Sequence, residues 1–169
     1  VKADQVELEP GLWSLDNFGQ VLVATIANGK TFTWNAGATT PTANRASTST
    51  SSFSTSNNPT ASRATLISPT TRHLIHFGTE TTIGTASTQD DMFIRFADQE
   101  DINTFIPSAV NAAGTQRLQD GTKIVGAIKA KETILVITDN ALYTMKFVGA
   151  PITFRFEQVG TNCGLIGKN

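Results

Sequence analysis

The chain contains only two histidines, His73 and His76. They stand three apart in His73–Phe77 (HLIHF), a run that reads as a strand, so their rings point to opposite faces. One metal ion could not take both without a bulge, and no cysteine lies nearby to complete a zinc set. Acidic residues concentrate at Asp90, Asp91, Asp98, Glu100 and Asp101, with Arg95 among them. The run Asp98-Gln99-Glu100-Asp101 lacks the glycine and the alternating spacing of a calcium loop. It reads as a solvated turn, and its functional alternative is a group of channel-facing carboxylates past which DNA slides without sticking. No serine or threonine sits in a Gly-x-Ser-x-Gly turn, and no phosphate-binding glycine loop occurs. Composition alone leaves paired-carboxylate glycosidase chemistry open, with Asp98 and Glu100 as the acids to test. No catalytic, cofactor-binding or metal residue is assigned, and no cofactor is expected. Trp13, Trp34 and Tyr143 are the whole supply of Trp and Tyr, and hence the candidates for stacking on a sugar ring.

The elements that must position these residues are strands. Val125–Ile128, Thr133–Thr138, Leu142–Phe147 and Thr153–Glu157 are apolar-rich runs separated by turn formers, Asp139-Asn140 and Gly149-Ala150-Pro151 among them. Four such runs predict an antiparallel meander, the unit of a β-propeller blade, which has two bare edges and cannot bury its faces alone. A second meander is predicted from Ala64–Ser68, His73–Phe77, Met92–Ala97 and Ile102–Ile106. Gln20–Ile26 and Thr31–Trp34 flank Asn28-Gly29 and predict a hairpin with a type I′ turn, half of a third meander. Gly11–Gly19 reads as a compact loop laying Trp13 and Phe18 on the core. Between residues 39 and 62, 14 of the 24 residues are Ser or Thr and Phe53 is the one large apolar side chain. Such a segment buries too little to offset its conformational entropy and reads as a long loop. The expected organisation is therefore all-β: a half-blade with an N-terminal loop (1–38), the Ser/Thr-rich insert (39–63), a second blade (64–107), a connector (108–116) and a third blade running into a further strand (117–169).

The totals exclude several functional classes. Thirteen Lys and Arg oppose 14 Asp and Glu for a net charge of -1, so no overall attraction draws the chain to nucleic acid or anionic membrane. No apolar run approaches the ~18 residues of a membrane span, and no membrane anchor is expected. The single cysteine, Cys163, allows no internal disulfide and is expected to be a small buried residue near a strand end. Val1 at the start and Gly164–Asn169 leading towards another strand suggest a processed product or a segment of a longer polypeptide. Gly29-Lys30-Thr31-Phe32 fits the Gly-x-Thr-Phe ending of the repeat in sialidase-type propellers, but Ala27 stands where its aspartate belongs and no arginine cluster accompanies it.

Several phrases, in order, resemble another family. They are Trp13-Ser14-Leu15-Asp16-Asn17-Phe18-Gly19; Asn58-Pro59-Thr60 with Arg63-Ala64; Phe96-Ala97-Asp98-Gln99-Glu100-Asp101; Val148-Gly149-Ala150-Pro151; and Gly160-Thr161-Asn162-Cys163-Gly164-Leu165-Ile166-Gly167. Together they are similar to the packaged-DNA stabilisation, or tail accessory, proteins of short-tailed bacteriophages. The resemblance implies a non-enzymatic β-propeller subunit of the virion. Its copies form a ring, a hexamer, that extends the DNA channel as the tail nozzle below the portal and adaptor. The implied partners are the adaptor, the tail needle or fibre proteins, and the packaged DNA, which passes without sequence-specific binding. Two features depart from the family: its members are much longer, and Phe96-Ala97 stands where the pattern has Trp-Ser. The rival readings are a carbohydrate- or receptor-binding propeller module of a phage tail, and a sialidase-type hydrolase fragment.

Overall fold

The computed structural model describes residues 11–35 and 57–167, so most of the Ser/Thr-rich insert lies outside the described residues. Among the described residues, eleven strands form three antiparallel sheets, each a meander in chain order. The first sheet comprises β1 (Trp13–Phe18), β2 (Val21–Ile26) and β3 (Thr31–Asn35). The middle sheet comprises β4 (Ser62–Ile67), β5 (Leu74–Thr79), β6 (Phe93–Phe96) and β7 (Gly114–Arg117). The last comprises β8 (Ile124–Ala130), β9 (Thr133–Thr138), β10 (Ala141–Gly149) and β11 (Thr153–Thr161). One 3-10 turn, Ala86–Thr88, is the only helical element among the described residues. The all-β expectation holds.

Burial follows the period-2 pattern of pleated strands. In the last sheet, β9 alternates half-buried Thr133, Leu135 and Ile137 with buried Ile134, Val136 and Thr138. The middle sheet instead is covered on both sides, and all six residues of β5 are buried. On one side Leu66, Ile75, Phe77, Ile94 and Phe96 meet Ile124, Ile134, Val136, Met145 and Phe154 of the last sheet. On the other, Ile67 and Leu74 meet Val23 of the first sheet, together with Ala97, Ile102 and Phe105. Each fully buried aliphatic or phenylalanine side chain contributes about 1.5–3 kcal/mol by leaving water.

Three local expectations are corrected. Residues 102–106 are not a strand: Asp101 accepts from the Asn103 N–H at 2.7 Å and the Thr104 hydroxyl at 2.7 Å, and the Asp98 N–H donates to the Thr104 carbonyl at 2.8 Å. These bonds curl the chain so that Ile102 and Phe105 plug the core. The fourth position of the sheet passes to β7, which begins inside the predicted connector. There Gly114 lies so close to the Phe96 ring that an added Cβ would sit 2.4 Å from it. Residues 13–18 are a strand, not a loop, paired with β2 from Trp13↔Ile26 to Phe18↔Val21. The Asn28-Gly29 turn is also not type I′. Asn28 alone takes positive φ (58°), and the Gly29 N–H closes on the Ile26 carbonyl at 3.0 Å. Tertiary bonding explains this, since the Asn28 N–H donates to the Ser62 carbonyl at 2.8 Å and the Ser62 N–H to the Gly29 carbonyl at 3.3 Å. The turn is thereby held against β4.

Candidate functional site: the convergent first strands and the polar junction

The first strands of the three sheets come together. β1 lies beside β4, and β4 beside β8. Asp16 on β1 closes the set: its carboxylate accepts from the Ile67 N–H of the middle sheet at 2.7 Å and from Lys129 Nζ on β8 at 2.6 Å. Trp13, Ser14, Leu15, Asp16, Thr65 and Lys129 line a cleft of about 350 Å³ at this edge, together with Ala64, Leu66 and Ala127. Lys129 is partly exposed, so the pair adds only about 0–1 kcal/mol, while fixing where the first and last sheets meet.

Behind that edge, polar side chains lie beside the apolar contact of the first and middle sheets. Thr25 Oγ1 lies 2.7 Å from Thr31 Oγ1 and 2.8 Å from Thr65 Oγ1, linking the two sheets. Ser62 Oγ lies 2.7 Å from His76 Nδ1 and 3.0 Å from Thr79 Oγ1, and the Thr79 hydroxyl donates to the Ala61 carbonyl at 2.8 Å. Ser62 and His76 thus have the spacing of a nucleophile and its base. The pair lacks the rest of such a site: both residues are fully buried, and His76 Nε2 carries no hydrogen-bond partner where a carboxylate would orient the ring. The ring packs instead edge-on against Phe105, with centroids 5.0 Å apart. Burial, then the adjacent Arg95 charge, push the His76 pKa down to about 3, so the imidazole is neutral at pH 7.

Glu80 and Arg95 close the far end of this junction. Glu80 is fully buried, and its carboxylate accepts from the Thr60 N–H at 3.0 Å, the Gly84 N–H at 2.7 Å and the Thr60 hydroxyl. The Arg95 guanidinium donates to the carbonyls of Thr81 at 2.9 Å, Glu80 at 3.3 Å and Phe105 at 3.3 Å. Burial lowers the Arg95 pKa, and the Glu80 charge opposes that shift. The group ties the 80–90 loop to the 97–106 loop. Ser62, Thr25, Thr65 and Glu80 were not foreseen, because isolated polar residues give no periodic signal in a sequence.

The predicted site residues separate in space. His73 and His76 do lie on opposite sides of the middle sheet: His73 packs on Phe154 at 4.9 Å and Phe147 at 5.8 Å, with Nδ1 2.7 Å from Thr71 Oγ1. Burial lowers the His73 pKa to about 4, against the raising influence of Asp98. The acidic residues split to the two ends of β6, and each has an internal task. Asp90 pairs with Arg117 Nε at 2.6 Å and accepts from the Met92 N–H at 2.9 Å. Burial of Asp90 opposes its charge, but these bonds outweigh it and hold the carboxyl below the ordinary range. Asp91 pairs with Arg63 at 2.9 Å and Glu100 with Arg72 at 3.1 Å. Asp98 accepts from the N–H groups of Gln99 at 2.8 Å and Ala112 at 2.7 Å, and Asp101 holds the turn described above. Among the described residues no group of three or more His, Cys, Asp or Glu could hold a metal ion.

The aromatic candidates separate as well. Trp13 and Trp34 are half-exposed on the same face of the first sheet. Tyr143 is buried in the core of the last sheet, where its hydroxyl accepts from the Asp120 N–H at 2.8 Å, so it is removed from any stacking surface. Cys163 is exposed, contrary to expectation. Its segment crosses the outside of the Asp139-Asn140 turn, with the Cys163 N–H on the Asn140 carbonyl at 3.1 Å. Among the described residues no helix is long and apolar enough to cross a membrane. Neither the known family models nor the curated proteins compared with this chain match it.

Proposed function

We propose that the three meanders are successive blades of a β-propeller, and that the chain is a structural component of a short-tailed phage tail nozzle. What supports the blade reading is that three consecutive sheets pack against one another in chain order, with β1 beside β4, β4 beside β8, and Asp16 on β1 paired with Lys129 on β8. Propeller blades pack in this way around a central axis. The nozzle reading adds the ordered phrases from Trp13 to Gly167 that resemble tail accessory proteins. In this role the chain works by rigidity, as part of a ring around the DNA exit channel that retains the packaged genome. The acidic residues serve the loops of the blade through their internal bonds, so the channel wall is assigned to no particular carboxylate.

The test is to delete the gene segment for this chain in its phage and examine the particles. Heads that fill and then lose their DNA, with a truncated tail in electron micrographs, are the expected result. Infectious, DNA-retaining particles lacking the chain would overturn the proposal. A second reading, glycan or receptor binding, is favoured by the shared exposure of Trp13 and Trp34 on one face. A specific glycan-array signal abolished by Trp34→Ala would move the assignment to that reading.

A further inference from the structure

The strands that converge, β1, β4 and β8, are all edge strands: each ends its sheet, and among the described residues none pairs with another. In an antiparallel ladder alternate residues exchange both bonds with the neighbouring strand, and the residues between them turn N–H and C=O outward. The Ala27 N–H donates to the Leu12 carbonyl at 2.8 Å, which with the register Trp13↔Ile26 leaves Trp13 and Leu15 of β1 facing outward. The Ser68 N–H on the His73 carbonyl at 2.8 Å likewise turns out Thr65 and Ile67 of β4, and the Ile67 N–H accordingly reaches Asp16. On β8 the two-residue turn makes Ala130 and Thr133 a bonded pair, so Ala127 and Lys129 face outward. Trp13, Leu15, Thr65, Ala127 and Lys129 all line the one cleft. Bare edges of this kind are templates for a further strand.

We propose that this cleft takes a short, extended and uncharged peptide segment of a partner protein, which adds as a strand to the edge of β1. Trp13 and Leu15 offer N–H and C=O groups in alternation, a pattern that another extended backbone matches group for group. β4 supplies a second wall, where Thr65, only 6% exposed, turns its own N–H and C=O to the same space. Backbone polar groups so far from water normally have a partner. The charges of the cleft, Asp16 and Lys129, neutralise each other at 2.6 Å, so none is left to select a charged segment. Its volume of about 350 Å³ admits a few residues and not a domain. A sugar would want an aromatic face in the cleft, but the Trp13 ring lies on the outer side of the first sheet against Phe32, with centroids 6.0 Å apart. The pairing needs only the bare edge and the cleft, not the propeller assignment.

The probe is a displayed library of uncharged hexapeptides rich in Val, Thr and Ser, selected on the 169-residue chain, with the strongest binders resynthesised. The expected result is a peptide that binds with a sub-millimolar Kd and slows hydrogen exchange at the Leu15 amide. Methylating the alternate set of peptide nitrogens that faces β1 should abolish binding. Leu15→Pro removes an outward N–H without breaking a ladder bond and should weaken binding by about threefold or more. Leu15→Ala keeps that N–H and should leave binding unchanged. Circular dichroism checks that Leu15→Pro keeps its strands, and the methylated peptides test the pairing without any substitution in the protein. The proposal is overturned by a library that yields no binder, by a bound peptide that leaves Leu15 exchange unchanged, or by one indifferent to methylation of either alternate set. A neutral oligosaccharide that protects the Leu15 amide while no peptide does would also overturn it. These results are read on the isolated chain and the nozzle assignment in the virion, so the two fail separately.

Discussion

The two sheet-to-sheet junctions of this molecule are built from different materials. Between the middle and last sheets the contact is apolar and aromatic, with Phe96 and Phe154 edge-on at 5.0 Å and Phe77, Met92 and Met145 fully buried around them. Between the first and middle sheets a smaller apolar cluster around Val23, Ile67, Leu74 and Phe105 is accompanied by polar contacts, Thr25 to Thr65 across the junction and Ser62 to His76 behind it on the middle sheet. Apolar burial is non-directional and strong, while a hydrogen bond contributes only about 0.5–1.5 kcal/mol net but demands a fixed geometry. The first junction should thus supply most of the stability, and the second should specify how the sheets are set against each other.

Truncation at the apolar junction should produce the largest effect. Phe77→Ala is expected to cost about 3–5 kcal/mol, read as a lower urea midpoint, with the loss of both large transfer and packing terms. If Thr25→Val were to match it, the division between the junctions would fail.

Acid should weaken both sides of the middle sheet, though by different residues. The folded pKa values of His73 and His76 are about 4 and about 3, below the ordinary value of 6.5. Below pH 6.5 the unfolded chain therefore binds more protons than the folded one, and stability falls as pH falls. The slope is about 1.4 kcal/mol per pH unit for each histidine, from pH 6.5 down to about pH 4 for His73 and about pH 3 for His76. Urea midpoints across this window, compared with His76→Gln, should show the slope of the variant roughly halved. An unchanged slope would remove His76 from the pH response.

Smaller effects should follow at the polar junction and the convergent edge. Thr25→Val removes a hydroxyl lying within bonding distance of both Thr31 and Thr65 and leaves those two with fewer partners, so a loss of about 1–2 kcal/mol is expected by chemical denaturation. Asp16→Asn keeps an acceptor for the Ile67 N–H but discharges the pair with Lys129, and should cost under about 1 kcal/mol. That loss should shrink in high salt if it is electrostatic.

Legibility in the sequence differed along the chain for physical reasons. The last sheet was read nearly strand for strand because Thr133–Thr138 is a β-branched apolar run bounded by turn formers and Thr144-Met145-Lys146-Phe147 alternates polar and apolar residues. β1 was missed although Trp13-Ser14-Leu15-Asp16 alternates, since Trp13 and Leu15 point outward while Asp16 points in with Phe18. β7, Gly114-Thr115-Gln116-Arg117, has no apolar alternation at all and is a strand through pairing with β6. The acidic residues looked like one group because they are close in sequence, yet β6 carries them to opposite ends.

The sequence by itself determined the all-β class, the hairpin turns of the last sheet and the opposite facing of His73 and His76, because each follows from local periodicity and turn chemistry. Only the tertiary structure decided that the three first strands converge, that Ser62 meets His76 and Thr25 meets Thr65, and that Tyr143 is buried while Trp13 and Trp34 are not. Those outcomes depend on which faces of separate sheets meet, and side chains tens of residues apart carry no local signal of their partners. Gly164 shows the same limit: an added Cβ would lie 2.1 Å from the Asp139 backbone, a requirement imposed by a turn 25 residues earlier.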